Sequence, residues 1–413
     1  MFPVTSSVMN EFKNQSWFCD PASQKVMEVL AKNRQEARFV GGCVRDSLCG
    51  RLVHDIDVAT PERPETVLFL LEKNDIKAIP TGIDHGTITA ICNGQQFEIT
   101  TLRSDVSTDG RRATVAFTDD WLEDAKRRDF TFNALSVDRH GQLFDPFDGQ
   151  KDLAQGRVRF VGNAQERIKE DYLRLLRFFR FHAYYGKGNP QADALQACRD
   201  LAEGLKSLSG ERITQEMLKL LVAPHPEKWI RLMKDQGILS YLIPVSEDVQ
   251  ALEMMCALED KPDPLRRLAV LLPADKDAVD QLAKRWHLSN KQKKRLQLAR
   301  CTSDQLLPTD TREKLRSFLY RYGPVAACDQ LLIYWAHKQL SGLGPKEQSI
   351  LAEIEDWETK PQTFPLTGKD LLARGVSPGP YLGQVLKQVE DWWCETGCQA
   401  DKNACLSYFN KLD

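Results

Sequence analysis

Two aspartates separated by a single residue, Asp55 and Asp57, follow a glycine-rich turn in the first part of the chain. Side chains alternate between the two faces of a β-strand, so this spacing directs both carboxylates to one face and Ile56 and Val58 to the other. Neighbouring carboxylates repel each other, and a cation between them relieves the repulsion. Their oxygens suit a magnesium ion that also binds phosphate. The pair alone also fits a solvated strand, because carboxylates are common on protein surfaces.

A third carboxylate lies in a predicted hairpin. Asn93-Gly94 is a strong hairpin signal, and it separates the predicted strands Thr87–Cys92 and Gln95–Leu102. In the second strand, Glu98 and Thr100 share one face, while the apolar residues Phe97 and Ile99 share the other. Three carboxylates on one sheet fit two-metal nucleotidyl transfer, in which one metal activates the attacking hydroxyl and the other holds the triphosphate.

A glycine pair supplies a further element of this chemistry. Gly41-Gly42 on its own indicates a turn. Because glycine allows the backbone to approach a triphosphate closely and Arg45 can bind phosphate with two hydrogen bonds, the pair gains meaning beside the aspartates. No Walker sequence is present, and the one G-x-S-x-G match, at residues 375–379, does not follow a predicted strand as a nucleophile elbow would. Nucleophilic-serine and P-loop chemistry are therefore not indicated.

Composition restricts the class of protein. The 413 residues are 42% apolar and 28% charged, with a net charge of −2, which is typical of a soluble globular protein. We expect no secretory signal and no membrane span. Eleven cysteines without a CxxC pair predict reduced thiols and a cytoplasmic location. Cys394, Cys398 and Cys405 lie close in sequence, but no histidine follows at the spacing of a zinc site.

Since the chain is not basic overall, an RNA partner would be held by local patches. Residues 281–300 carry seven basic residues and no acidic one. Such a run is often a solvated helix face, and RNA contact is the alternative interpretation. The residues proposed for RNA contact are Lys291, Lys293, Lys294 and Arg295.

The distribution of patterns predicts an α+β fold. A small mixed β-sheet with helices extends to residue 162, and the pattern is helical afterwards, with predicted helices such as Ala164–Tyr184. We divide the chain into a head (1–162), a helical neck (163–225), a helical body (226–330) and a helical tail (331–413). Asn163, Ser289 and Ser377 are the predicted N-caps of three helices.

Six motifs in a fixed order then resemble the class II tRNA nucleotidyltransferase and bacterial poly(A) polymerase family. The resemblance covers residues 36–222 and extends more weakly to Leu366–Pro380. The motifs are FVGGCVRD with HDIDVAT, TGIDHGT at Thr81–Thr87, RRDFTFNAL at Arg127–Leu135, DPFDGQKDL at Asp145–Leu153, ERIKEDYLRLLRFFRF at Glu166–Phe181 and GERITQEMLKLL at Gly210–Leu221.

The resemblance implies a role for particular residues. Asp55 and Asp57 would bind two magnesium ions, and Glu98 would complete the catalytic carboxylates. Gly42 and Arg45 would contact the incoming nucleotide. Other residues would contact the triphosphate (Arg128), the sugar (Asp129) and the nucleotide as a whole (Arg177 and Arg180).

The neck helix contains a candidate protein template. Glu170, Asp171 and Arg174 lie on one predicted helical face, which also fits an ordinary salt-bridged helix. A carboxylate only accepts hydrogen bonds and an arginine only donates them. Cytosine and adenine both present an amino donor beside a ring-nitrogen acceptor, whereas guanine and uracil present the reverse order. An Asp171/Arg174 pair would therefore match C and A, the role that the resemblance implies.

The resemblance also implies that the polar segment 103–117 is a flexible loop needed for the final A. Its residues include Arg103, Asp109, Gly110, Arg111 and Arg112, and an ordinary surface loop is the alternative. The expected activity is CCA addition to tRNA from CTP and ATP. Poly(A) polymerase, a partial enzyme adding only CC or only A, and an inactive RNA-binding protein are the competing interpretations.

Overall fold

The computed structural model describes residues 12–33, 36–83, 86–108, 113–243 and 249–412. The chain folds into two compact units. Unit 1 comprises Met1–Leu208 with Asp235–Tyr241, and unit 2 comprises Ser209–Lys234 with Leu242–Asp413. This boundary falls inside the predicted neck, and the fourfold division into head, neck, body and tail remains a prediction. No helix in the described ranges is both long and apolar enough to cross a membrane.

Unit 1 contains a mixed sheet with helices, as the α+β prediction requires. The strands are β1 Arg38–Val40, β2 Ile56–Thr60, β3 Lys77–Gly82, β4 Thr87–Cys92, β5 Gln95–Thr101, β6 Arg103–Thr108, β7 Ala113–Phe117, β8 Ser136–Asp138 and β9 Leu143–Phe144. The helices are α1 Ser16–Cys19, α2 Pro21–Leu30, α3 Gly42–Leu48, α4 Pro64–Glu72, α5 Trp121–Lys126, α6 Gly149–Gln155, α7 Ala164–Glu170, α8 Leu173–Tyr185 and α9 Ala192–Asp200.

Seven of these strands form one sheet in the order β3-β4-β5-β2-β1-β8-β9, and β6 pairs with β7. Within the larger sheet, β2 and β5 run parallel and the other neighbours run antiparallel. The predicted hairpin is confirmed: Asn93 and Gly94 have φ values of 50° and 82° and join β4 to β5. Both values lie in the left-handed region that a two-residue hairpin turn needs.

Register places apolar and polar residues on opposite faces of this sheet. One row of paired residues crosses five strands and is buried throughout: Val137, Phe39, Val58, Ile99 and Ile88. The adjacent row, one residue along each strand, contains Ser136, Val40, Asp57, Glu98 and Thr89. Because adjacent positions face opposite sides, packing of the first row directs the second row to the other face.

Unit 2 is helical. Its helices are α10 Gly210–Leu221, α11 Pro226–Asp235, α12 Val249–Leu258, α13 Pro264–Leu271, α14 Lys276–Arg285, α15 Asn290–Arg300, α16 Arg312–Tyr322, α17 Pro324–His337, α18 Pro345–Thr359, α19 Gly368–Leu372, α20 Pro380–Glu395 and α21 Lys402–Phe409. The last residue of α11, Asp235, is assigned to unit 1. α17 packs against α12, α13, α15, α16 and α18. A helix with apolar residues on most of its circumference is expected at such a central position.

Helix ends agree with the sequence in two of three places. The Asn163 side chain accepts a hydrogen bond from the Glu166 amide, and Ser289 caps α15. Ser377 is not a cap, since α20 begins at Pro380 after Gly379. The predicted helix 164–184 is interrupted: α7 ends at Glu170 and α8 begins at Leu173. The template candidates therefore do not lie on one continuous helix.

Candidate active site

A cavity of about 420 Å³ opens on the polar face of the sheet in unit 1. Its walls carry five arginines and three carboxylates, and the arginines come from β6, α3, α8 and the segment after α5. The lining residues are Val40, Gly41, Gly42, Arg45, Asp57, Thr87, Glu98, Thr100, Arg103, Arg127, Arg128, Asp129, Asn133 and Arg177.

Asp57 and Glu98, which we call the carboxylate pair, are direct partners in the parallel register of β2 and β5. Glu98 is exposed, whereas Asp57 is half-buried. Burial, followed by repulsion from Glu98, raises the pKa of Asp57 to about 6. Asp55 is exposed and precedes the first residue of β2, but its charge still acts on Asp57. The structure therefore brings the three predicted carboxylates into one neighbourhood, with Asp55 at its edge.

The donor set fits a cation. In the described ranges, no three His, Cys, Asp or Glu side chains converge closely enough to hold a metal ion by themselves. Magnesium in nucleotide sites is commonly bound by one or two carboxylates and completes its coordination with phosphate oxygens and water. The repulsion within the carboxylate pair is what such an ion would relieve.

The glycine pair lies close to Asp57 and to two arginines. Gly41 has a φ of 68°, in the left-handed region that favours glycine, and Gly42 is the first residue of α3. A Cβ atom at Gly41 would lie 3.6 Å from both Arg128 Nη1 and Asp57 Oδ2. The backbone therefore comes close to both charged groups.

Arg45 projects from α3 and is held on several sides. Its Nε donates to Asp46 Oδ1 at 3.0 Å, and its Nη1 donates to Asn133 Oδ1 at 2.7 Å. The guanidinium also lies 4.7 Å from the ring centroid of Tyr185, whose hydroxyl donates to Asp46 at 2.5 Å. Because these contacts fix its orientation, Arg45 reaches the cavity as a preorganised cation.

Asp124, which the sequence patterns did not indicate, holds the next two arginines. Its Oδ1 accepts from Arg127 Nε and Nη2 at 2.9 and 2.7 Å, and its Oδ2 accepts from Arg128 Nη2 at 3.1 Å. The amide of Arg103, the first residue of β6, also donates to it at 3.3 Å. Burial alone would raise the pKa of Asp124, but Arg128 and Arg127 hold it below its usual value. The three- and four-residue spacing to the arginines was the available signal.

Asp129 is buried and joins two of the predicted nucleotide contacts. Its Oδ2 accepts from Arg177 Nε at 2.6 Å, and its Oδ1 accepts from Asn133 Nδ2 at 2.8 Å. Although burial would raise its pKa, Arg177 and Asn133 lower it. Asn133, a second residue that the sequence patterns did not indicate, bridges Asp129 to Arg45. No spacing rule predicts that bridge.

The base-selecting candidates lie at the break between α7 and α8. Arg174 Nη1 donates to Glu170 Oε2 at 2.5 Å and to the Arg167 carbonyl at 2.9 Å. Its Nη2 donates to the Arg127 carbonyl at 2.9 Å. Asp171 Oδ1 accepts from the Leu173 amide at 3.1 Å. Arg174 is thus tied to the segment that carries the cavity arginines.

Some predicted residues lie elsewhere among the described residues. Asp55, Glu170, Asp171, Arg174 and Arg180 do not line the cavity. The Arg180 guanidinium lies 4.3 Å from the ring centroid of Phe181. The predicted loop is mostly the β6–β7 hairpin, in which Arg103 pairs with Phe117. Asp109, Gly110, Arg111 and Arg112 lie outside the described residues.

The proposed RNA-binding patch belongs to α15 in unit 2. Lys291 and Lys294 are exposed there, and Lys293 lies 3.2 Å from Asp280. Arg295 is half-buried and donates to Asp329 at 2.7 Å and to Asp263 at 2.8 Å. The cysteines at 394, 398 and 405 are buried free thiols. Within the described part of the chain they do not form a metal-binding group.

Comparison with known proteins identifies the family. A poly(A) polymerase head-domain model matches residues 37–159, an RNA- and SrmB-binding model of polymerase A matches residues 190–249, and a model of tRNA nucleotidyltransferase domain 2 matches residues 263–409. The human mitochondrial CCA tRNA nucleotidyltransferase 1 is 36% identical over 404 residues, which cover 94% of this chain and 89% of that protein.

A bacterial relative and a solved structure agree. The CCA-adding enzyme of Streptococcus pyogenes serotype M2 is 34% identical over 389 residues, covering 89% of this chain and 91% of that protein. The structure of the Bacillus stearothermophilus CCA-adding enzyme in complex with CTP has a TM-score of 0.76 and 26% identity, covering 95% and 96% of the two chains. Because these similarities extend over nearly the whole chain, the protein belongs to the class II tRNA nucleotidyltransferase and poly(A) polymerase family and is a nucleotidyltransferase.

Proposed function

We propose that this enzyme adds CMP, CMP and AMP in sequence to the 3′ end of tRNA, using CTP and ATP and no nucleic-acid template. The observation that carries the proposal is the cavity, in which the carboxylate pair faces a wall of arginines that is tied to Arg174. The relatives named as CCA-adding enzymes support this activity.

Magnesium would be held by Asp55 and Asp57, with Glu98 completing the carboxylate set. When bound, it supplies activation of the tRNA hydroxyl and neutralisation of triphosphate charge in a two-metal mechanism. The role of the protein residues in this step is to position the nucleotide. Arg45 and Arg128 would bind the triphosphate, and Gly42 would let it approach the backbone. Asp129, fixed by Arg177, would orient the sugar, and Arg180 would help to hold the nucleotide.

Base selection is assigned to Asp171 and Arg174. A guanidinium has five N–H groups, and three of the five in Arg174 are used by Glu170 and by the Arg167 and Arg127 carbonyls. The remaining two can donate to the ring nitrogen of cytosine or adenine, while Asp171 accepts from the exocyclic amino group. Guanine and uracil would place donors against Arg174 and a carbonyl against Asp171, leaving groups unpaired.

The β6–β7 hairpin would permit the change from C to A. Its first residue, Arg103, both lines the cavity and donates its amide to Asp124, which holds Arg128. A change in the hairpin can therefore reach the nucleotide wall through few contacts. We expect a chain shortened between Arg103 and Arg112 to stop after CC. Full A addition by that variant would contradict this role of the hairpin.

Location and partner are also part of the proposal. tRNA is the proposed macromolecular partner, since the Thermotoga maritima enzyme with a similar fold was solved with tRNA. The eleven free cysteines support a reducing compartment such as the cytoplasm. Relatives in mouse, human and zebrafish are mitochondrial proteins.

The deciding assay uses purified enzyme, magnesium and tRNA lacking its 3′ end, with each nucleotide alone and in mixtures. Sequencing of the product ends should show CCA with CTP and ATP together, and CC with CTP alone. tRNA that already ends in CCA is the control and should not be extended. A long A tract would identify a poly(A) polymerase, and a stop after CC in the mixture would identify a partial enzyme.

Asp171→Asn tests base selection separately. The amide can donate towards a carbonyl, so kcat/KM for GTP or UTP should rise relative to CTP and ATP while overall activity falls. A bidentate base contact contributes about 1–3 kcal/mol to discrimination, so the ratio should shift at least several-fold. Glu166→Gln, an acid-to-amide change at an exposed position of α7, is the matched control. An equal loss for all four nucleotides would show that Asp171 does not read the base.

A further inference from the structure

A second cavity, in unit 2, has an unusual charge. It measures about 170 Å³ and lies against the ends of α15 and α17, and its described lining contains three basic residues and no Asp or Glu. We call it the basic cavity. Its lining residues are Ala274, Ala299, Arg300, Thr302, Gln305, Leu306, Leu307, Gln330, Ile333, Tyr334, His337 and Lys338.

Arg300 is the central cation of the basic cavity. Its Nη1 lies 3.1 Å from His337 Nε2, and because arginine only donates, the histidine nitrogen accepts there. Its Nε is buried and has no hydrogen-bond partner. No carboxylate in the described part of the chain forms an ion pair with Arg300. Burial accordingly lowers the pKa of this guanidinium, and the group that opposes the shift is the neighbouring Cys301 thiol, not a carboxylate.

The same two helices, α15 and α17, provide a carboxylate partner for another arginine. Arg295, five residues earlier on α15, donates two hydrogen bonds to the Asp329 carboxylate of α17, at 2.7 and 3.0 Å. Eight residues further along α17, the position facing Arg300 is His337, which is itself basic. A partly buried charge without a counter-ion is costly, and arginine remains protonated in proteins. A negative charge supplied from outside the side chains of this cavity would therefore stabilise Arg300.

Size and surroundings limit the chemistry of the ligand. A cavity of about 170 Å³ is smaller than the ~300–1,000 Å³ of sites for drug-sized molecules, so it suits a single oxyanion group. Lys338 lines the same cavity and can add a second cationic contact. Its Nζ lies 5.7 Å from the ring centroid of Tyr334, which is also a lining residue. Arginine binds phosphoryl oxygens through its planar fork of donors.

We propose that the basic cavity is a phosphoryl-binding site in which Arg300 is the principal ligand and Lys338 an auxiliary one. The phosphoryl group is either free phosphate or a phosphodiester of RNA, since both present the same oxygens. The proposal does not depend on the transfer reaction, because the cavity and the carboxylate pair belong to different units.

Inorganic phosphate is the first probe. Its affinity is measured by calorimetry, with chloride at matched ionic strength as the reference. Arg300→Met should weaken the binding at this site at least about tenfold, because a charge-assisted pair is lost. Arg300→Lys keeps the charge without the fork and should give an intermediate affinity. Arg231→Met, which removes an exposed arginine paired with Glu253, should change nothing.

The arginines of the first cavity can also attract phosphate, so the series is repeated in an Arg128→Met background, where the Arg300-dependent binding should persist. A tRNA arm separates the two sources. If RNA supplies the phosphoryl group, tRNA displaces phosphate and Arg300→Met reduces the salt dependence of tRNA binding by roughly one phosphate contact. If free phosphate is the ligand, tRNA affinity is unchanged and phosphate stays bound.

The proposal is overturned if both Arg300 variants bind phosphate with wild-type affinity and tRNA binding keeps its salt dependence. Unfolding midpoints of all variants are measured alongside. If Arg300→Met does not fold, the Arg300→Lys variant decides, because wild-type phosphate affinity in that variant would show that the arginine fork does not bind a phosphoryl group.

Discussion

Two ionic clusters in this molecule contain the same types of side chain, arginines and carboxylates, but differ in the role that we assign to them. In unit 2, three arginines meet three carboxylates: Arg266 and Arg295 donate to Asp329, Arg267 donates to Glu259, and Arg295 also donates to Asp263. In unit 1, five arginines and three carboxylates line one cavity. We call these the balanced cluster and the cavity cluster.

The difference lies in how the charges are arranged. In the balanced cluster, each arginine has a carboxylate partner, and Asp329 and Glu259 have side chains only 1% exposed. In the cavity cluster, four arginines also have carboxylate partners, but Asp57 and Glu98 lie side by side on the sheet, and nearby Arg128 and Arg45 offset their repulsion only in part. A balanced buried cluster stabilises a particular packing, whereas an unbalanced one at a cavity requires ligands. Charge balance therefore separates a structural network from a site.

The largest expected effect is at the carboxylate pair. Asp57→Asn should reduce single-turnover incorporation of CMP by roughly a thousandfold or more, about 4 kcal/mol of transition-state stabilisation, because a metal-binding oxygen is lost. tRNA affinity should be retained. Asp119→Asn, at an exposed position, should behave like the wild type. Near-normal incorporation by Asp57→Asn would show that the cavity cluster does not take part in the transfer reaction.

A mutation in the balanced cluster should lower the stability of the fold and leave the transfer reaction unchanged. Asp329→Asn leaves Arg266 and Arg295 short of negative charge and should lower the free energy of unfolding by about 3 kcal/mol. Denaturant titration measures this loss, and transfer kinetics below the transition should stay normal. Asp391→Asn, which disrupts an exposed pair with Arg321, should cost under about 1 kcal/mol. A fully stable Asp329→Asn protein with impaired transfer would reverse our assignment of the two clusters.

Asp124 should show an intermediate effect. Asp124→Asn weakens the hold on Arg127 and Arg128, so kcat/KM should fall roughly 10- to 100-fold, or about 1.4–2.7 kcal/mol. The kcat/KM values for CTP and ATP should fall by the same factor, because both nucleotides present the same triphosphate. Glu123→Gln, whose parent side chain pairs with Lys126 at the surface, is the adjacent control. A fall in kcat/KM for ATP alone would show that Asp124 acts through the β6–β7 hairpin and not through the arginines that bind the triphosphate.

The smallest effect is expected from exposed cations. Replacing Lys291, Lys293 and Lys294 together by Gln should weaken tRNA binding severalfold and make it less dependent on salt. Nucleotide choice should not change. Replacement of Lys346, Lys360 and Lys411 removes the same charge elsewhere in unit 2 and should have less effect. If both triple variants bind tRNA equally well, α15 is not a specific RNA contact.

Much of the head could be predicted from sequence because its signals are local. The Asn93-Gly94 turn and the alternation around Asp57 and Glu98 each depend on residues that are neighbours in the chain. The pairing of Asp57 with Glu98 could be expected, but its register could not be derived, because it depends on packing of the opposite face.

The interruption between α7 and α8 could not be predicted in this way. Its helical periodicity continues through Tyr172, whose ring lies against Gly204: a Cβ atom there would be 2.0 Å from Tyr172 Cε1. A contact between residues so far apart in sequence leaves no trace in local periodicity. Asp124 was missed for another reason, since its spacing to Arg127 and Arg128 is also typical of ordinary surface pairs.

The parallel pairing of β2 with β5 has a consequence for folding. Asp57 and Glu98 are adjacent in the sheet although 41 positions separate them in the chain. Closing a loop of that length costs about 3 kcal/mol of chain entropy, whereas the β4–β5 hairpin closes over two residues. The hairpin that carries Glu98 can therefore form early, and its partner strand must dock later. A nascent head that has formed only local structure holds one member of the carboxylate pair, so catalytic competence arises only after a non-local step of sheet assembly.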